Sequence, residues 1–109
     1  MALETLSEDM RPVRQRAPTP PGHILKSMFL VPRGVSQALL ARTVGRSEKF
    51  ISQLVNNVGS ARVDRDLAAK LSRVFETSPD VWLNLQAAVD GWRARQEART
   101  WSPPRVFRP

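Results

Sequence analysis

Cysteine is absent from the 109-residue chain, and histidine occurs once, as His23. Disulfide scaffolds, thiol nucleophiles and Cys/His zinc sites are therefore excluded, and an intracellular setting fits best. No apolar run approaches the roughly 18 residues needed to span a bilayer, and the N-terminus lacks the basic-then-apolar pattern of a secretory signal. The expectation is a soluble, cytoplasmic protein with no membrane partner. His23 has no Ser, Cys or Asp arrangement resembling a triad, and a lone histidine near a helix start is more often structural than catalytic. Asp64 and Asp66 flank Arg65 beside a helix start, where carboxylates serve the helix dipole. No catalytic residue, cofactor or metal site is expected, so the chain reads as a non-enzyme.

What the chain has in excess is positive charge. Lys and Arg number 17 against 10 acidic residues, a formal charge of +7, which favours a polyanionic partner such as nucleic acid. The length allows one domain with a modest core and tails. Residues 1–20 mix balanced charge with prolines and hold no lasting period, which predicts an extended N-terminal arm. Residues 95–109 carry Arg95, Arg99, Arg105 and Arg108 against Glu97, and they end in the proline-rich stretch TWSPPRVFRP. They read as an extended basic tail.

Between the arms, residues 21–94 read as helix throughout, because apolar residues recur at spacings of three and four and never alternate for long. The first helix starts near Pro21, places Ile24, Leu25, Met28 and Phe29 on one face, and ends before Pro32 and Gly34. Ser36 caps a second helix with Leu39, Leu40 and Val44 inward. Ser47 caps a third with Ile51, Leu54 and Val55 inward, closing at the turn Asn56-Asn57-Val58-Gly59-Ser60. A fourth carries Leu67, Leu71, Val74 and Phe75. The fifth, over about 78–94, opens with Ser78 as cap and Pro79 in its first turn. Its apolar stripe is Val81, Trp82, Leu85, Val89 and Trp92. The expected fold is all-α, five short helices around one core.

Gly45 separates the second and third helices at the point where a sharp turn needs positive φ without a Cβ clash. Helix, glycine turn, helix over about 36–57 is the helix-turn-helix pattern, in which the second helix enters the major groove. With Ile51, Leu54 and Val55 buried, the third helix turns Ser47, Glu48, Lys49, Phe50, Ser52, Gln53 and Asn56 outward. Lys49 can donate to guanine, Gln53 can pair with adenine, Glu48 can accept from cytosine, Ser52 can do either, and an exposed Phe50 can meet a thymine methyl group. Gln37, Arg46, Asn56 and Asn57 stand where phosphate contacts are expected, with Arg33, Arg42 and Arg62 adding longer-range attraction. The competing reading is a polar face that is simply solvated on an ordinary all-α protein.

The wider segment carries more specific wording: PGHIL at 21–25, Phe29 and Pro32, GVSQ at 34–37, LAR at 40–42, VG at 44–45, IS at 51–52 and, above all, TSPDVWLNLQ at 77–86. These residues resemble the HigA-type antitoxin branch of the Xre/phage-repressor-like family over about residues 20–94. The resemblance implies a five-helix, dimeric protein that masks a HigB-like toxin, a small ribonuclease of the RelE-like fold, and represses the shared operon by binding double-stranded operator DNA. It further implies that Gln37, Ser47, Glu48, Lys49, Ser52, Gln53 and Asn56 occupy the family's DNA-contacting positions. His23 stands where the family usually has glutamate, and the loop NNVGSARV is about two residues longer than the usual turn.

Two features remain open between readings. The stripe Trp82, Leu85, Val89 and Trp92 serves either the core or a two-fold dimer, with toxin contact as a third use. Such a dimer would set two recognition helices roughly 34 Å apart on a palindromic site. The arms are either solvated or wrap a partner, and Trp101 and Phe107 keep the second alternative alive. The whole chain then has three readings: antitoxin and autorepressor, stand-alone repressor without a toxin, and protein-binding inhibitor that does not use DNA.

Overall fold

A computed structural model describes residues 16–108; most of the expected N-terminal arm therefore lies outside the described residues. Among them the chain forms five helices and no strand. The first, α1, covers residues 21–33 in three consecutive runs: Pro21–Ile24, a wider π-helical stretch Leu25–Leu30, and Val31–Arg33. It was expected to stop before Pro32, yet it runs through it. The π-turns explain how, since the Val31 amide already reaches back to the Lys26 carbonyl and a proline with no N–H comes next, at the wide turn. The Met28 carbonyl is taken instead by the Arg33 side chain, whose Nη1 donates to it at 3.0 Å.

The remaining helices are α2 (Gln37–Val44), α3 (Glu48–Asn56), α4 (Arg65–Phe75) and α5 (Pro79–Thr100). Each begins at a side-chain cap that accepts an otherwise orphaned amide. The Ser36 hydroxyl accepts from Leu39 at 3.0 Å, that of Ser47 from Phe50 at 3.0 Å, the Asp64 carboxylate from Leu67 at 2.9 Å and the Ser78 hydroxyl from Val81 at 3.4 Å. α5 passes its expected end at residue 94 and continues to Thr100. Pro103 and Pro104, which cannot extend a helix, come shortly after.

One apolar core joins all five. Leu25 and Leu30 enter it from α1, Leu40, Ala41 and Val44 from α2, and Ile51, Leu54 and Val55 from α3. Leu67, Ala68, Leu71 and Phe75 come from α4 and Trp82 from α5. Four residues expected inside are exposed: Met28, Leu39, Val74 and Val81. In each case a neighbour on the adjoining part of the helical arc takes the inner place. Leu40 and Ala41 displace Leu39, and Leu71 with Phe75 displaces Val74. Trp82 is 0% exposed; its ring lies 5.2 Å from that of Phe29, and its Nε1 donates to Thr77 Oγ1 at 2.9 Å.

α1 and α3 meet without a spacer at Gly22. A Cβ there would fall 1.8 Å from the Leu54 carbonyl oxygen and 2.9 Å from Val55 Cα. Glycine is the residue that lets the α1 backbone lie directly on the last turn of α3.

Candidate nucleic-acid interface

Gly45 closes α2 in the left-handed conformation, φ 72° and ψ 35°, and the chain re-enters helix at the Ser47 cap. The link is three residues, Gly45-Arg46-Ser47. The Arg46 amide bonds back to the Ala41 carbonyl at 2.9 Å, so the turn's hydrogen bonds are completed locally. The buried trio Ile51, Leu54 and Val55 fixes the rotation of α3 about its own axis. Ser47, Glu48, Lys49 and Asn56 are thereby left exposed, with Ser52 and Gln53 half-buried.

Within this surface the structure separates side chains with internal duties from those without. Arg46, expected to reach a phosphate, is committed inward. Its Nη2 donates to Asp64 at 2.9 Å and to Asp66 at 3.3 Å, its side chain is only 20% exposed, and its guanidinium lies 4.8 Å over the Phe50 ring. Phe50, expected to present its ring to a thymine methyl group, packs against the core and is covered by Arg46. Asn56 turns its amide back on its own helix and donates to the Ser52 carbonyl at 2.9 Å. Gln53 lies against the loop after α3, within 3.1 Å of the place where a Cβ on Gly59 would stand. Glu48 and Lys49 make no side-chain hydrogen bond or salt bridge with any described residue, and Gln37 stands half-buried at the start of α2.

The longer-range cations divide in the same way. Arg33 stacks over Phe29 at 5.0 Å and Phe75 at 5.8 Å. Arg62 forms a two-pronged pair with Asp90, at 3.1 and 2.6 Å. Arg42 is exposed. The Arg62 pair extends into the interior: Gln86 Nε2 donates to Asp90 at 3.1 Å, and its Oε1 accepts from the Val63 amide at 2.8 Å. This chain of bonds clamps the loop after α3 onto α5. It was not anticipated from the sequence, because residues 62 and 90 become neighbours only through the tertiary fold.

Three aspartates titrate below their ordinary value of 3.8. Asp64 is held down by the Leu67 amide it accepts and then by Arg46, Asp66 by Lys70 and then Arg46, and Asp90 by Arg62. A carboxylate with a depressed folded-state pKa binds protons more readily when unfolded, so its contribution is complete above its ordinary pKa and is lost as pH falls through the folded value. Thermal unfolding should therefore be level from neutral pH to about 5 and decline below about 4. Asp64→Ala should flatten that decline; an equally steep decline in the variant would remove Asp64 from the account.

The stripe read as either core or dimer surface divides between buried and half-buried positions. Trp82 is fully inside the core, and Val89 is 5% exposed. Both are spent on closing α5 against the rest of the chain. Leu85 and Trp92 remain half-buried. Trp92 lines clefts between α5 and residues 17–19 of the arm, and its Nε1 is buried without an acceptor among the described residues.

Two capped helices at a glycine turn, the second held by three apolar anchors and turning a short polar face outward, make this a helix-turn-helix domain of the repressor type. No family model matches the chain. The chain is 39% identical over 85 residues to the HTH-type transcriptional regulator YbaQ of Escherichia coli, covering 78% of this chain and 74% of that one. It is 34% identical over 93 residues to antitoxin HigA-1 of Vibrio cholerae, covering 82% and 86%. The structure superposes on Pseudomonas aeruginosa antitoxin HigA with the higBA promoter at a TM-score of 0.66 and 30% identity, over 80% of this chain and 98% of that one. The chain belongs to the HigA-like family of helix-turn-helix antitoxins and transcriptional regulators. These relatives are named as antitoxins and regulators, not as enzymes.

Proposed function

We propose that this protein is an antitoxin and autorepressor: a dimer that reads its own operator with α3 and neutralises a partner ribonuclease toxin of the RelE-like fold. The observation that carries the DNA half is the division of labour on α3. Arg46, Phe50 and Asn56 hold the unit together, whereas Glu48 and Lys49 project from a capped helix with no side-chain partner among the described residues. Side chains whose polar ends are not occupied by the fold can pair with base edges. The Pseudomonas relative, solved with its promoter, has the same helix arrangement. The toxin half rests on the Vibrio and Pseudomonas relatives named as antitoxins. The relative named simply as a regulator supports a second reading, a repressor without a toxin.

Fluorescence anisotropy against DNA from immediately upstream of the gene, beside a scrambled duplex, tests the DNA half. The parent chain should prefer its own upstream DNA. Lys49→Ala should cost about 1–3 kcal/mol of that preference, roughly 5- to 150-fold in affinity, while leaving the melting temperature in place. Equal binding of both duplexes by the parent would discard the operator reading. Copurification with the product of the neighbouring gene, and inhibition of that product's RNA cleavage, decides between the antitoxin and the lone repressor.

A further inference from the structure

Beyond residue 92 the chain stops contributing to its own core, yet it stays helical. Residues 93–100 of α5 are exposed except for Gln96, and residues 101–108 are exposed throughout. This outrigger carries five arginines, Arg93, Arg95, Arg99, Arg105 and Arg108, against a single acid, Glu97. None of the five arginines forms a salt bridge with a described residue. Of the basic residues elsewhere, Arg46, Arg62 and Lys70 are paired with aspartates, and the others without a salt bridge, Lys26, Arg42, Arg65 and Arg73 among them, are spread along residues 16–73, whereas this end gathers five within 16 residues.

Its position relative to α3 gives that charge a target. Arg93 and Asn57 line one cleft of about 360 Å3, and the Arg62–Asp90 pair ties the loop after α3 to the same stretch of α5. The outrigger therefore starts at the C-terminal end of the recognition helix. α3 has 9 residues, about 13.5 Å at 1.5 Å per residue, close to the roughly 12 Å width of the major groove. A helix of that length laid across the groove ends at its border, where the phosphodiester strand runs. From Arg93 to Thr100 is about another 12 Å of helix, and the extended tail reaches further.

We propose that these five arginines make sequence-independent contacts with the phosphodiester backbone flanking the site read by α3. The proposal rests on the reading of α3 as a DNA-reading helix. The guanidinium is the side chain best matched to phosphate, because it stays charged and offers two parallel donors. The region then lends affinity without discrimination, and Glu48 and Lys49 on α3 lend discrimination.

The test is the salt dependence of binding by the full-length chain and by a variant with all five arginines replaced by glutamine, a comparably good helix former. Each phosphate contact contributes about 0.9 to the slope of log K against log salt. The glutamine variant should lose about 4–5 from that slope per bound chain on operator and scrambled duplexes alike, with the ratio between the two unchanged. A slope within about 1 of the parent's, with circular dichroism showing the helices intact, overturns the proposal. The operator reading fails on a separate observation, an absence of preference in the parent chain, and the slope comparison on scrambled DNA still stands in that event.

Discussion

Trp82→Ala is expected to remove about 3–5 kcal/mol of folding stability, the range for emptying a large aromatic from a packed core. The residue is completely buried, packs on Phe29, and satisfies its own indole N–H through Thr77. Alanine would leave a cavity at the point where α1, α4 and α5 converge, and would leave the Thr77 hydroxyl without its donor. Against a total of about 5–15 kcal/mol for a small domain, the loss brings the variant close to unfolding at ordinary temperature. Urea denaturation read by circular dichroism measures it. Trp82→Phe separates the two contributions, because it keeps most of the volume and gives up the hydrogen bond, at about 1 kcal/mol. A loss under about 1 kcal/mol for the alanine variant would contradict the placement of this side chain.

Gly22→Ala should be nearly as severe, for the opposite reason. The added methyl group has nowhere to go: the atoms at 1.8, 2.5 and 2.9 Å are the Leu54 carbonyl and Val55 Cα, and backbone cannot rotate aside as a side chain can. Overpacking usually costs about 1–3 kcal/mol. With main chain on both sides the expectation is about 3 kcal/mol or more, and the displaced element is the last turn of α3. Operator affinity should therefore fall even at temperatures where the variant stays folded. Gly91→Ala supplies the contrast. Its Cβ would meet only the movable Arg95 guanidinium at 3.2 Å, so relief of a mid-helix glycine should add about 0.5–1 kcal/mol. The same substitution with opposite signs at two glycines, measured by thermal melting, checks the α1–α3 contact directly.

The features legible in the sequence are those that depend on neighbours within a few residues. Ser36, Ser47 and Ser78 announce helix starts because a cap is a three-residue event, and Gly45 announces the turn because its φ is local. The inward trio of α3 comes from spacing alone. Pro32 misled for an equally local reason: a proline reads as a stop unless a wide turn before it removes the clash, and nothing in the sequence flags a π-turn. The extension of α5 through Thr100 was hidden by Pro103 and Pro104, which forbid helix at their own positions and say little about the residues before them.

The candidate interface was legible in outline and not in its division of roles. Arg46, Phe50 and Lys49 all fall on the polar side of a wheel drawn for α3 and the turn before it. Only the approach of Asp64 and Asp66 from the start of α4 converts Arg46 from an outward cation into a structural one, and brings its guanidinium over Phe50. That approach depends on residues 18 and 20 positions away, a separation at which spacing carries no information. Trp82 and Val89 were likewise ambiguous, since a stripe on a helix does not say which neighbour covers it.

The freedom of Glu48 and Lys49 also bears on how such a scaffold diversifies. Their side chains hold nothing in place, whereas the cap, the apolar anchors and the Arg46 tether are used up by the architecture. If these two positions read base edges as proposed, a lineage can exchange them without disturbing the core, and duplicated copies would then acquire different genomic addresses and stop answering to one another's promoters. Insulation between sister circuits would then require few mutational steps, with the architecture inherited intact.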